Sequence, residues 1–294
     1  MSTKIYYFSG TGNSLHVARE LQKRIPDAEL IPILSLERQE SVTAQGATVG
    51  FVFPHYASSL PKVVHTFVEK LDLGKASYLF AIVTRGGTKT WAFSELDAIL
   101  AEKGKRLDSF FAITMLGGNE ALVQGYADWI TEERIQKLES AMLSRLDGIG
   151  RIITSQELSR EEDRGTVEPP RLLEPFVPLL DAMSPHLIRL GKLVESSFEF
   201  YCDDDCSGCG VCERVCLAGK VQMVEERPVW QNTVKCHGCF ACLSFCPSES
   251  IQVKSKWYLK SYTVQNGRYH HPSVTANDIA SQKGEGWQKT AEGG

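Results

Sequence analysis

The chain has 294 residues, 43% of them hydrophobic, enough for two domains with at least one sizeable core. Its 32 Lys and Arg against 36 Asp and Glu leave a formal charge of -4, which argues against a general nucleic-acid binder, since that needs a basic stripe. The longest apolar runs, Val49–Pro54 and Tyr78–Thr84, have strand length, so no membrane span is expected; the opening Met1-Ser2-Thr3-Lys4 runs into a strand with no secretory leader, and the chain reads as cytoplasmic.

In chain order, Ile5–Phe8 is apolar and β-prone and precedes the loop Ser9-Gly10-Thr11-Gly12-Asn13-Ser14. A helical pattern then runs through Leu15, Ala18, Leu21 and Ile25. Strand, glycine loop and helix make an anion cradle, in which backbone N–H groups and hydroxyls converge on a phosphate at the helix N-terminus. No Lys follows Gly12, which excludes a triphosphate P-loop, and Leu15 stands where the dinucleotide fingerprint needs a third Gly or Ala. A phosphate monoester on an uncharged tail fits better than a pyrophosphate; an ordinary strand-to-helix turn is the plainer alternative.

Strands are predicted at Glu29–Leu34, Val49–Phe53, Tyr78–Thr84 and Leu107–Met115, and helices at Pro61–Lys70, Thr90–Lys103 and about Asp128–Ile153. With the first strand this makes an α/β, doubly wound, five-stranded parallel sheet, whose ligands bind beyond the strand C-termini at the switch in strand order. Three more loops emerge at that edge: Pro54-His55-Tyr56-Ala57-Ser58-Ser59, Thr84-Arg85-Gly86-Gly87-Thr88-Lys89 and Leu116-Gly117-Gly118-Asn119. Tyr56 offers a face for a flat ring and the glycines allow close approach to its polar edge, a set that fits the isoalloxazine of FMN. Asp128 and Glu120, near the same edge, read as surface residues.

Gln156–Pro170 is polar, ends in Pro169-Pro170 and reads as a linker; Leu172–Glu195 is helix-like and is expected to pack the two halves together. Eight of the nine cysteines then form two runs, Cys206-x2-Cys209-x2-Cys212-x3-Cys216 and Cys236-x2-Cys239-x2-Cys242-x3-Cys246, offset by 30 residues at all four positions. This is the bacterial-type spacing for two [4Fe–4S] clusters, in which the fourth cysteine of each run reaches the other cube. The expected sets are Cys206, Cys209, Cys212 and Cys246 on one cluster and Cys236, Cys239, Cys242 and Cys216 on the other. Zinc does not need two matched quadruplets, and disulfides do not suit a chain without a secretory leader. Short strands at Lys220–Val224 and Pro228–Gln231 flank a turn at Glu225-Glu226-Arg227, and Val221, Met223, Val229, Ile251 and Val253 are candidates to cover the cubes. A unit this small needs iron–thiolate bonds for cohesion. Cys202 is left over as a solvent-side thiol, and the adjacent His270 and His271 cannot both face one side of a strand, which disfavours a shared metal.

The Ser9–Ser14 loop resembles the FMN-phosphate loop of flavodoxins. Together with the cysteine quadruplets, it makes the whole chain resemble the flavodoxin–ferredoxin fusion proteins. The resemblance implies a flavodoxin-like FMN domain over about residues 1–155, a linker and packing helix over 156–199, a small α+β bacterial ferredoxin-like domain over 200–255, and an extension over 256–294 with a disordered end. It places Tyr56 and Arg85-Gly86-Gly87 at the flavin ring, and the same family carries a similar Arg268-Tyr269-His270-His271-Pro272 tail, read as an interdomain or flavin-covering contact. The function it implies is electron transfer between the clusters, FMN and a separate redox partner protein. A flavin-dependent reductase of small molecules and a non-catalytic redox sensor stay open.

One departure from an acidic flavodoxin bears on the flavin's potential. No carboxylate lies between Glu40 and Glu69, and from Ala76 to Ser94 the only charges are Arg85 and Lys89. A cation about 8 Å from the reduced ring, at an effective dielectric constant of about 20, stabilises it by about 2 kcal/mol, or about 90 mV for a one-electron couple. The second one-electron potential is therefore expected to be high, unless both cations point into solvent.

Overall fold

The computed structural model describes residues 2–117, 126–160, 198–255 and 266–284. Gly118, Asn119, Glu120 and the helix expected at Leu172–Glu195 lie outside the described residues, as does the end of the tail beyond Gly284.

The first unit contains β1 (Thr3–Tyr7), α1 (Asn13–Gln22), β2 (Ala28–Pro32), β3 (Val42–Thr43), β4 (Thr48–Pro54), α2 (Lys62–Lys70), β5 (Leu71–Asp72), β6 (Tyr78–Arg85), α3 (Ala92–Ala101), β7 (Ser109–Thr114), α4 (Glu132–Thr154) and β8 (Ser159–Arg160). Six strands form one parallel sheet in the order β2-β1-β4-β6-β7-β8, and β3 pairs with β5 beside it. Its five longer strands follow the doubly wound order 2-1-3-4-5. The central strands show why: β6 is buried at every residue and β4 at all but Pro54, as strands covered on both faces must be. Helices supply the covering stripes, Leu15, Ala18 and Leu21 from α1 and Val64, Phe67 and Val68 from α2.

The sheet has one strand more than the five expected. Ser159–Arg160 lies inside the stretch read as linker, beside Ser109 and Phe110, with the Ser159 N–H on the Asp108 carbonyl at 3.2 Å. Two polar residues have no alternation to detect; only the open edge of β7 makes them a strand. The sheet unit therefore reaches at least residue 160.

The second unit contains β9 (Phe198–Cys202), α5 (Val211–Val215), β10 (Val221–Val224), β11 (Arg227–Trp230), α6 (Ala241–Ser244) and β12 (Ile251–Ser255). β9 and β12 pair antiparallel, and β10 and β11 form a hairpin on the two-residue turn Glu225-Glu226, both at positive φ as a primed turn requires. That register puts Val229 opposite Gln222, so Val229 is 42% exposed, while Val221 on the other face is buried. Val229 therefore covers nothing, a correction to its expected role. The described part of the tail contains α7 (Ala276–Ala280), opened by a Thr275/Asp278 capping box. No helix among the described residues is long and apolar enough to cross a membrane.

Candidate functional site

Strand order reverses between β1 and β4, and a cavity of about 240 Å³ opens beyond their carboxyl ends. The loop after β1 contributes Ser9, Gly10, Thr11, Asn13 and Ser14. The loop after β4 contributes Pro54, His55, Tyr56, Ala57 and Ser58, and that after β6 Thr84, Arg85, Gly86 and Thr88. Gly117 completes this edge, and the opposite wall is Cys239 and Phe240 of the second unit. Gly12 and Gly87 do not line the cavity.

Gly12 instead shapes the loop from behind. At φ 97° it is left-handed, the N-cap of α1, and it gives that helix no side-chain cap. The first-turn N–H groups of α1 therefore have neither an intrahelical acceptor nor a capping side chain, and no acidic residue stands in the first turn. Ser14 and Thr84 hydroxyls bond at 2.7 Å, and Asn13 donates to the Leu116 carbonyl at 2.6 Å, which ties three of the four loops together. Gly10 has to be glycine: a Cβ there would stand 2.3 Å from the Cys239 carbonyl oxygen and 2.9 Å from the Tyr56 hydroxyl.

The Tyr56 loop turns on Ala57 and Ser58, both left-handed, and closes with reciprocal bonds between Tyr56 and Ser59. Glu95 of α3 anchors it, accepting from the Ser59 hydroxyl at 2.6 Å and the Leu60 N–H at 3.2 Å. Arg85 is buried rather than solvent-directed, and donates to the Thr88 carbonyl at 3.0 Å. Phe8, just past β1, meets Tyr56 edge-on at 6.3 Å and His237 at 6.1 Å, so one ring bridges the flat-ring loop and the second cysteine run. Burial alone holds His237 down, to about 4.

The cysteines fall into two neighbourhoods. Cys206, Cys209, Cys212 and Cys246 line a second, smaller cavity. Cys242 is buried with Cys216, Cys236 and Cys239 as its nearest thiol influences. Burial, then the neighbouring thiols, pushes Cys239 and Cys242 up, and burial pushes Cys212 up to about 12. Cys246 goes the other way: against burial, the Ser250 and Ser248 hydroxyls hold its thiol below the usual value. Backbone N–H groups of Lys220 and Val221 reach the Cys216 sulfur at 3.2 and 3.4 Å. Among the described residues no three cysteine sulfurs lie within 4.8 Å of one another. Cys202 sits half-buried at the end of β9.

The tail lies behind the glycine loop. His270 and His271 point to opposite sides: His270 stacks on Phe245 at 4.3 Å, and His271 on His16 of α1 at 3.9 Å. Both His16 and His271 place Nε2 on the carboxylate of Glu139 in α4, at 2.7 and 3.3 Å, and both Nδ1 atoms meet the Ser273 hydroxyl. One ligand-type atom from each of His16, Glu139 and His271 lies within 4.8 Å of the others, so this hydrogen-bonded trio is also a grouping that could hold a metal ion. Burial, with His16 alongside, holds His271 down to about 4. Sequence reasoning missed Glu95, Glu139, Ser273 and Gln282; none carries a local signal, because each acts on a residue distant in the chain.

No protein-family model matches the chain, and no curated protein matches it. Among solved structures, an NAD(P)H:quinone oxidoreductase from Methanothermobacter marburgensis is 12% identical, spanning 52% of this chain and 96% of its own length with a TM-score of 0.31. At that score the likeness bears on neither fold nor function.

Proposed function

We propose that the chain is an electron-transfer protein with FMN in the larger cavity and two [4Fe–4S] clusters in the second unit. The inner cluster is held by Cys236, Cys239, Cys242 and Cys216, the outer by Cys206, Cys209, Cys212 and Cys246. The observation that carries this reading is the meeting of Gly10 with Cys239, where the loop suited to a phosphate tail touches the loop suited to the inner cluster. Two redox sites walled by one another make a conduit; two unrelated binding sites have no reason to share a wall.

The residues present fit both groups. The uncapped N-terminus of α1 and the Ser9 and Thr11 hydroxyls suit a phosphate. The sulfurs stand too far apart for one tetrahedral ion, whose thiolates at about 2.3 Å from the metal would sit about 3.8 Å from each other. Spread corners of a cube suit them better, and N–H groups on the Cys216 sulfur are the kind of bond that tunes a cluster. When bound, FMN supplies one- and two-electron chemistry and the clusters single-electron transfer.

The chain's own residues orient and insulate. Arg85 places a cation in the cavity wall, which favours negative charge there. Phe8 and Tyr56 keep water from the junction, and His237, neutral because buried, adds no charge to it. At the far end, Cys209 is exposed and Glu226 backs its loop, a Cβ on Gly208 falling 3.0 Å from the Glu226 carbonyl. Exposed Asp204, Asp205, Glu225 and Glu226 rim that end, a surface suited to a redox partner with a basic face.

Purification without air, with iron, sulfide and flavin quantified, tests the proposal. The expected yield is about eight iron and one FMN per chain. A colourless product, or one carrying only zinc, sinks it.

A further inference from the structure

We infer that residues 266–284 form a double staple that holds the two cofactor-binding units at a set spacing, with Tyr269 and Gln282 as positioning residues for the glycine loop. Its significance for cofactors rests on the proposed function; its geometry does not. Twice along this segment, adjacent residues turn to opposite units. At the start, Arg268 donates to the Ile251 carbonyl at 2.9 Å and to the Gln252 side chain at 2.9 Å, while the Tyr269 hydroxyl donates to Asn13 Oδ1 at 3.1 Å. At the end, the Gln282 carboxamide accepts from the Ser9 N–H at 2.9 Å and donates to the Ser9 carbonyl at 2.8 Å. Its neighbour Lys283 donates to the carbonyls of Arg214 at 2.9 Å and Cys216 at 3.5 Å.

Between the staples the segment lies flat on the loop. The His271 N–H donates to the Thr11 carbonyl at 2.8 Å, and a Cβ on Gly12 would meet Val274 at 2.8 Å. Ser9 is 1% exposed and Gln282 wholly buried, so no solvent stands ready to replace their paired bonds. A carboxamide is the one side-chain group that matches both the donor and the acceptor of a peptide unit. The loop is thereby shaped before any ligand arrives, and a shaped loop loses less freedom on binding. Lys283 grips the turn of Cys216, so the same strap registers that loop against the proposed inner-cluster ligand.

Hydrogen exchange on the full chain tests this, read in peptides covering 8–15 and 211–220, for wild type, Gln282→Leu, Tyr269→Phe and Lys283→Met. Lys283→Met removes the bonds to the Arg214 and Cys216 carbonyls of the second unit, yet exchange is expected to rise several-fold in 8–15 as well as in 211–220. Tyr269→Phe, which removes one hydroxyl bonded to Asn13 of the first unit, is expected to loosen 211–220 as well as 8–15. Gln282→Leu is expected to loosen both peptides and to weaken FMN about tenfold, with an altered visible circular dichroism of the flavin. If Gln282→Leu does not accumulate, the other two variants still decide. Exchange effects confined to the unit each side chain touches would overturn the staple. Cross-unit effects in a wild-type protein that takes up no FMN would retire the proposed function and leave the staple standing.

Discussion

The two units of this molecule solve the problem of cohesion differently. The sheet unit is held by burial: its largest fully buried side chains include Phe8, Phe51, Phe53, Phe67 and Phe80, packed through continuous apolar strands. The cysteine unit has helices of five and four residues; its own small cluster counts Cys212, Cys216 and Cys242 among nine buried residues, while its Val215, Leu217, Ala241 and Phe245 pack into the core of the sheet unit. Below about 70–80 residues a hydrophobic core rarely supplies more than about 3–5 kcal/mol. A third of this small core therefore consists of groups whose strongest available bond is to metal. One unit is specified by volume and the other by ligation.

The sharpest break between them is iron removal. Chelation under oxidising conditions, or Cys242→Ser, is expected to abolish exchange protection across β9–β12 while β4 and β6 keep theirs; uniform loss across both units would contradict the contrast. Phe80→Ala attacks the other side. Its ring fills the space over Gly50, and its loss should cost about 3–5 kcal/mol in denaturant unfolding, with the iron content of folded protein unchanged. At the seam, Gly10→Ala drives a methyl into the Cys239 carbonyl, and a cost of about 1–3 kcal/mol is expected. Flavin affinity measured by fluorescence quenching should fall with it, and an unchanged dissociation constant would remove the close approach as a requirement.

Smaller effects sharpen the picture. Arg85→Gln should lower the second one-electron potential of the flavin, on the order of 90 mV for a charge about 8 Å from the ring. A potentiometric titration without a shift would show that the buried guanidinium does not act on it. The smallest effect is acid loosening of the tail. Despite partial burial, which raises it, Asp278 is held down to about 2 by Arg19 and Thr275. A depressed carboxyl contributes stability that is present above its unfolded pKa of about 4 and lost as pH falls through about 2. Proteolysis of the tail should therefore quicken between those values, and Asp278→Asn should flatten that dependence.

Much of the architecture was legible before any coordinates. Continuous apolar runs marked β4 and β6 because a strand covered on both faces needs them. The Glu225-Glu226 turn was placed to within a residue by the strands around it. The two-residue β8 was not, since its only determinant is the free edge of another strand. Val229 was misplaced because alternation gives the period of a hairpin but not which face meets the core.

What the residues determine alone is local chemistry. The glycine loop ahead of α1 and the spacing of the thiols follow from geometry within a few residues, so they survive as sequence patterns. Only the tertiary structure decided that the loop of Cys239 walls the cavity, that Arg85 turns inward, and that Gln282 completes the peptide of Ser9 across 273 positions of chain. Such pairings depend on how two packed surfaces dock, and nothing in the order of residues along either surface encodes the contact until both have folded.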